Sequence, residues 1–167
     1  LWRLPGPALG IACAEVELKL EHLQVSGSFK ARGMFNRLRS HKVPSAGVTI
    51  ASGGNAGIAA AVAARALGAR CEVFVPEVTP PSKRRRLLAA GAQMTVAGAT
   101  YAEALEACLE RQRTSGAMLM HAYDQAEGIA GAGTLAMEIE ADAGVPDRVL
   151  VSVGGGGLIA GIAAWFE

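Results

Sequence analysis

Short runs of strand character alternate with helical segments along almost the whole chain, and that alternation most constrains the fold. Val48–Ala51, Cys71–Val75, Gln93–Val96 and Met118–His121 read as strands, and Ile58–Leu67, Ser82–Ala90 and Tyr101–Ser115 between them read as helices. Gly68 and Gly91 stand where a helix stops in the left-handed conformation. Within Tyr101–Ser115, Ala104, Leu105, Cys108 and Leu109 fall on one side, with Glu103, Glu106, Glu110 and Arg113 on the other. Upstream, Val16–Leu20 alternates as a strand and leads through a loop into a helix over Ser28–Leu38, which Ser28 can cap. Downstream come a helix over Gly131–Ala141, a strand at Val149–Val153, and an apolar segment, Leu158–Phe166, that starts another helix. Strands separated by helices require right-handed crossovers, so the expected class is α/β, with open, mainly parallel sheets and flanking helices. The turns at the carboxyl ends of such strands gather together, and Ser52–Gly57 and Gly154–Gly157 are expected to face one crevice.

A chain of 167 residues, 51% hydrophobic and 19% charged, buries a real core. Its net charge of +1 supplies no general field for nucleic acid or an anionic membrane, so a small-molecule partner is expected. The run Lys83–Arg86 lacks interleaved aromatics and reads as the wet face of a helix. Cys13, Cys71 and Cys108 are odd in number and have no CxxC spacing, which points to packing in a reducing cytoplasm rather than to disulfides or zinc. His22, His41 and His121 show no metal-ligand spacing and read as surface or packing residues, and no metal is expected. Asp124, Glu127 and Glu138 are too scattered to form an acid/base pair. No leader and no apolar stretch of about 18 residues is visible, and both ends of the chain look cut.

Three segments carry chemistry. Gly154, Gly155, Gly156 and Gly157 lie between a strand run and a helical run, where close backbone approach and free N–H groups at a helix N-terminus cradle a phosphate. Lys30 lies in the first turn of a helix beside Phe29, and both the helix dipole and burial would lower its pKa toward that of a usable nucleophile. With a phosphate cradle elsewhere, such an amine suggests a Schiff base to pyridoxal 5'-phosphate. Ser52, Gly53, Gly54, Asn55 and Ala56 form a helix-heading turn whose N–H groups suit a carboxylate, with the Asn55 amide available to a phenolic oxygen.

Taken together, Lys19–Gly33 (KLEHLQVSGSFKARG), Ala51–Ala64 (ASGGNAGIAAAVAA) and Ser152–Ala163 (SVGGGGLIAGIA) resemble the fold-type II pyridoxal-phosphate enzymes, in particular the serine/threonine dehydratases. The connecting stretches Val75–Met94 and Tyr123–Ile139 resemble that family too. The resemblance implies that Lys30 carries the cofactor with Phe29 against its ring. It further implies that Asn55 bonds the ring hydroxyl, Ser52 to Ala56 hold the substrate carboxylate, and Gly154 to Gly157 hold the phosphate. The implied reaction is loss of water and then ammonia from L-serine or L-threonine to give a 2-oxo acid, with Lys30 also taking the Cα proton.

Two departures sharpen this expectation. Many relatives have Ser-Ser-Gly-Asn-His in the asparagine loop, whereas this chain has Gly53 and Ala56 at the second and fifth positions. Glycine has no proton to give from the opposite face, which disfavours racemisation, and the alanine looks more like the L-serine dehydratases. The family also continues through further strands that supply a partner for the pyridine nitrogen, so the chain reads as part of a longer protein. By the same resemblance, residues 39–131 form a small substrate-closing domain inserted into a larger cofactor domain, of which 1–38 and 132–167 are parts. A homo-oligomer, specifically a dimer, is implied as well. The alternatives are β-replacement as in cysteine synthase, threonine-synthase chemistry, and a non-catalytic phosphate-binding domain. The last lacks a Gly-x-Gly-x-x-Gly fingerprint and leaves Lys30 without a role.

Overall fold

A computed structural model describes residues 1–167. Four strands form a parallel sheet: β3 (Val48–Ala51), β4 (Cys71–Val75), β5 (Gln93–Val96) and β6 (Met118–Leu119), in the order β5-β4-β3-β6. A separate antiparallel pair joins β1 (Trp2–Pro5) to β2 (Glu15–Leu18). The helices are α1 (Lys30–Arg39), α2 (Asn55–Ala66), α3 (Pro81–Ala89), α4 (Tyr101–Ser115), α5 (Ala126–Ala143) and α6 (Gly157–Phe166).

The parallel sheet forms where both faces of the strands are covered, and its sequence shows why. Val48, Thr49, Ile50 and Ala51 of β3 are all buried, with α2 packed on one face through Ala59, Ala60, Ala63 and Ala64 and α4 on the other through Ala104 and Cys108. Alanine brings α2 close to the sheet while losing no side-chain entropy. On the opposite face the buried Thr49 hydroxyl lies 3.3 Å from Cys108 Sγ, which satisfies a polar group inside the core. Cys71 and Cys108 are buried and unbridged, and burial pushes the Cys71 thiol up to about 12, so both act as small hydrophobes. The helix α4 opens with a capping box, in which Thr100 accepts from the Glu103 N–H and the Glu103 carboxylate accepts from the Thr100 N–H.

Strand order sets the position of the crevice. The chain runs from β3 to β4 and β5 on one side, then crosses back through α4 to place β6 on the other side of β3. This makes a topological switch point between β3 and β6, whose carboxyl ends open outward together. The ladder there closes with the Met120 N–H bonded to the Thr49 carbonyl, so Ser52 and Ala122 leave from neighbouring strands.

Three expectations are corrected. Val149–Val153 forms no strand; Leu150 is 96% exposed, and no strand of this chain lies beside the segment to supply a ladder. Ser28 does not cap α1: Phe29 already has helical angles (φ −55°, ψ −18°), and the buried Ser28 Oγ has no hydrogen-bond partner. The helix expected over Gly131–Ala141 begins five residues earlier, at Ala126. No helix is long and apolar enough to cross a membrane.

Candidate active site

Lys30 is the first residue of α1, a helix fixed on two sides. Met34 and Leu38 enter the sheet core, while Gly33 lies so close to α5 that a Cβ there would come 2.7 Å from the Gly128 carbonyl oxygen. This placement directs the Lys30 side chain into a small crevice shared with Phe29, Met34, His121, Tyr123 and Gly157. Its Nζ donates to the Ala122 carbonyl at 2.6 Å and sits 4.8 Å from the centroid of the Phe29 ring. Burial lowers the pKa of the Lys30 amine, in the direction expected from the sequence, and desolvation is the cause.

The glycine loop meets the same crevice from the other side. Gly156 has φ +85°, a conformation that side-chain-bearing residues rarely adopt, and it turns the chain into α6 at Gly157. A Cβ on Gly155 would run into the Tyr123 ring, and one on Gly157 would come 2.5 Å from the Tyr123 carbonyl oxygen. The bare backbone there is a steric necessity, and the first N–H groups of α6 stay free of intrahelical partners.

Ser52, Gly53, Gly54, Asn55 and Ala56 lie at the head of α2, beside the switch point. Ser52 Oγ accepts from the Gly54 N–H at 3.3 Å, Asn55 is exposed, and Gly54 is the N-cap without a side-chain cap bond. The structure therefore brings Lys30, Phe29 and Gly157, the last residue of the glycine loop, into one crevice, which the asparagine loop does not line.

Sequence reasoning missed the segment 119–125, which connects β6 to α5. His121, expected to be a surface or packing residue, lines the crevice, and its Nδ1 accepts from the Asp124 N–H at 3.0 Å. Its ring stands edge-on to Tyr123 at 4.8 Å. The position of Ala122 was hidden for a simpler reason, because its contribution is a backbone carbonyl. Glu127 and Glu138, set aside as an acid/base pair, are engaged elsewhere. Glu127 bonds Arg37 at 2.8 Å and His41 at 2.6 Å, and Glu138 bonds Arg32 at 2.7 Å and Lys19 at 2.8 Å.

The family model for pyridoxal-phosphate dependent enzymes matches residues 1–167, and the chain belongs to that family. The L-threonine ammonia-lyase of Thermotoga maritima is 39% identical over 151 residues, which is 89% of this chain and 38% of that protein. Among solved structures, the processed form of threonine deaminase isoform 2 from Solanum lycopersicum superposes with a TM-score of 0.85 at 33% identity, covering 89% of this chain and 41% of the other. Maize serine racemase superposes with a TM-score of 0.83 at 30% identity, covering 87% and 45%. The chain thus spans less than half the length of each of these proteins.

The residues present fit the cofactor that names the family. Gly155 and Gly157 have no room for a Cβ, Gly157 lines the crevice of the desolvated Lys30 amine, and two residues before that amine the buried Ser28 hydroxyl has no partner.

Proposed function

We propose that the protein to which this chain belongs removes water and then ammonia from L-serine or L-threonine, giving a 2-oxo acid, with pyridoxal 5'-phosphate as cofactor. The observation that carries the reading is the Lys30 amine, desolvated at the head of α1 and opening into the same crevice as the glycine loop. Its likeness to a threonine ammonia-lyase at 39% identity and to a threonine deaminase at 33% supports the substrate class.

Each residue has a task in this reading. Lys30 Nζ would hold the cofactor at its aldehyde carbon and, when free, would take the Cα proton. Burial favours the neutral form that this second task needs. When bound, the cofactor supplies an electron sink that weakens the bonds at Cα. The N–H groups of Gly154 to Gly157 and the α6 dipole hold the phosphate, and Phe29 packs on the ring. Asn55 bonds the ring hydroxyl, and the Ser52 to Ala56 turn receives the substrate carboxylate. Gly53 supplies no acid to the opposite face of Cα, which favours elimination over racemisation.

The division of labour belongs to the same proposal. Residues 39–131 close over the substrate and exclude water, while 1–38 and 132–167 belong to the cofactor domain. The second boundary falls inside α5, so the first turns of that helix would carry the hinge. The cysteines, all free, fit a reducing cytoplasm, and the dimer rests on family resemblance.

The test is an absorbance spectrum with pyridoxal phosphate before and after borohydride, with the labelled peptide mapped by mass spectrometry. The expected result is a visible-edge band and a reduced adduct on Lys30, followed by ammonia release from L-serine or L-threonine that Lys30→Ala abolishes. An adduct spread over surface lysines, or turnover surviving Lys30→Ala, overturns the reading.

A further inference from the structure

The crevice contains one polar contact that the proposed chemistry does not use, the bond from Lys30 Nζ to the Ala122 carbonyl across 92 residues of sequence. A carbonyl holds an amine in place only if it is itself held, and here the holding is shared by two side chains that line the crevice, Gln125 and His121. Gln125 closes the 119–125 turn with two bonds: its Oε1 accepts from the His121 N–H at 2.9 Å, and its Nε2 donates to the Leu119 carbonyl at 3.1 Å. His121 Nδ1 adds two more by accepting from the Tyr123 N–H, in the peptide that carries the Ala122 carbonyl, at 3.4 Å and from the Asp124 N–H at 3.0 Å, so Gln125 holds the turn before His121 and the His121 ring holds it after Ala122. Gln125 is also the N-cap residue of α5 yet makes no cap bond, so its amide is committed entirely to this turn. The same turn packs the Tyr123 ring on Gly155 and the Tyr123 carbonyl on Gly157.

We propose that Gln125 is a positioning residue: by fixing the Leu119–Gln125 turn, it aims the Ala122 carbonyl at Lys30 and sets where the reactive amine rests between the α1 head and the glycine loop. The inference rests on Lys30 being the reactive amine. An acceptor carbonyl favours the ammonium form, in opposition to burial, so a loosened turn leaves more of the amine neutral at a given pH. The other titratable groups lining the crevice are Arg37, His121 and Tyr123, and the substitutions below leave all three in place.

The experiment measures the rate at which an acylating reagent labels Lys30 in cofactor-free protein as a function of pH, with the labelled peptide quantified by mass spectrometry. Gln125→Asn is one methylene too short to span from the His121 N–H to the Leu119 carbonyl, and asparagine is a favoured N-cap, so the variant keeps the start of α5. Its labelling profile should move to lower pH, with labelling at neutral pH about threefold faster than in the unmodified protein. Gln125→Glu keeps the acceptor for the His121 N–H and should return the profile to the unmodified position or beyond it. A Gln125→Asn protein with native melting and an unmoved profile overturns the positioning role. Borohydride mapping on the unmodified protein separates this from failure of the cofactor reading: an adduct on Lys30 with an unmoved profile sinks the Gln125 role alone, and no adduct on Lys30 removes both.

Discussion

The sheet and the site are held together by different physics. Around β3 and β4 a single cluster of eighteen buried residues, including Ile50, Val73, Val75 and Leu87, excludes water from a continuous apolar core. Where α5 meets α6 beside the site, the corresponding cluster has four members, Leu135, Ala136, Ile139 and Ile162. Backbone contact and ion pairs supply what apolar burial does not. A Cβ on Gly133 would come 2.7 Å from the Gly161 carbonyl oxygen, and one on Gly131 2.6 Å from that of Arg32. Arg32, whose side chain is 8% exposed, is clamped between Glu21 and Glu138 and also donates to the Thr134 hydroxyl at 2.9 Å. The difference teaches where tolerance lies: the sheet is sensitive to lost volume, and the site to added volume and lost charge. The helix α1 belongs to both, and its first residue is Lys30.

The largest expected effect breaks the sheet alone. Ile50 is 1% exposed, so Ile50→Ala should cost about 2–5 kcal/mol by denaturant titration. Under conditions where the variant is folded, the rate of adduct formation on Lys30 should match the unmodified protein, and a slowed rate would show that the two regions are not separable in this way. Gly161→Ala is the converse. Its methyl would meet the Ile129 carbonyl and the Gly133 nitrogen, and because those are backbone atoms the helices must part, at a cost of about 1–3 kcal/mol. Here the loss should include weaker binding of pyridoxal phosphate, read by titration, since α6 carries the glycine loop. Unchanged affinity would mean that the α5–α6 contact does not set the cradle.

The same contrast explains what the sequence made legible. The strands Val48–Ala51, Cys71–Val75 and Gln93–Val96 and the helix Tyr101–Ser115 appear with the bounds expected, because their signals are local: apolar runs, flanking glycines and helical periodicity. The site region depends on partners distant in sequence. Ala126–Ala130 was not read as helix because Gly128 is a poor helix former, yet Gly128 and Gly131 allow α1 to reach α5. Val149–Val153 has a strand's residues without a strand's neighbour, and Trp2–Pro5 pairs with Glu15–Leu18 although its residues, including a proline, do not announce it. Lys30, Phe29 and Gly154–Gly157 could be nominated by residue type. The Ala122 carbonyl and the Gln125 tether could not, since a backbone acceptor has no residue-type signature.

The charge clamp gives a smaller, pH-dependent effect. The hydrogen bond from Arg32, aided by Lys19 and opposed by desolvation, holds the Glu138 carboxyl down at about 2. A carboxyl depressed in the folded state adds stability above its ordinary value of 4.5, and that contribution is lost as pH falls toward about 2. Glu138 is partly exposed, so water screens the gain, and Arg32→Met should cost less than the ~3–5 kcal/mol of breaking a fully buried pair. Melting temperatures between these pH values should fall less steeply in Arg32→Met than in the unmodified protein. Parallel curves would show that Glu138 gains nothing from its partner. Glu127 is also held down at about 2, chiefly by its own backbone and then by His41, so part of the acid sensitivity should survive in the variant.

The smallest effect tests the comparison from the sheet side. Thr100→Ala removes the side-chain acceptor for the Glu103 N–H at the head of α4, an exposed site on the far flank of the sheet, and should cost about 1 kcal/mol. The capping box is reciprocal, but the Glu103 carboxylate still reaches the backbone N–H groups of residues 99 and 100, so the helix start should loosen without unravelling. Thr100→Ser restores the hydroxyl and should recover the stability, which identifies the cap bond as the cause. Since α4 covers the sheet face opposite α2 and lines none of the Lys30 crevice, the pH profile of Lys30 labelling should be identical in both variants. A displaced profile in Thr100→Ala alone would mean that strain at a helix start on the sheet reaches the amine, and the division between a volume-sensitive sheet and a charge-sensitive site would have to be redrawn through β6 and the turn that follows it.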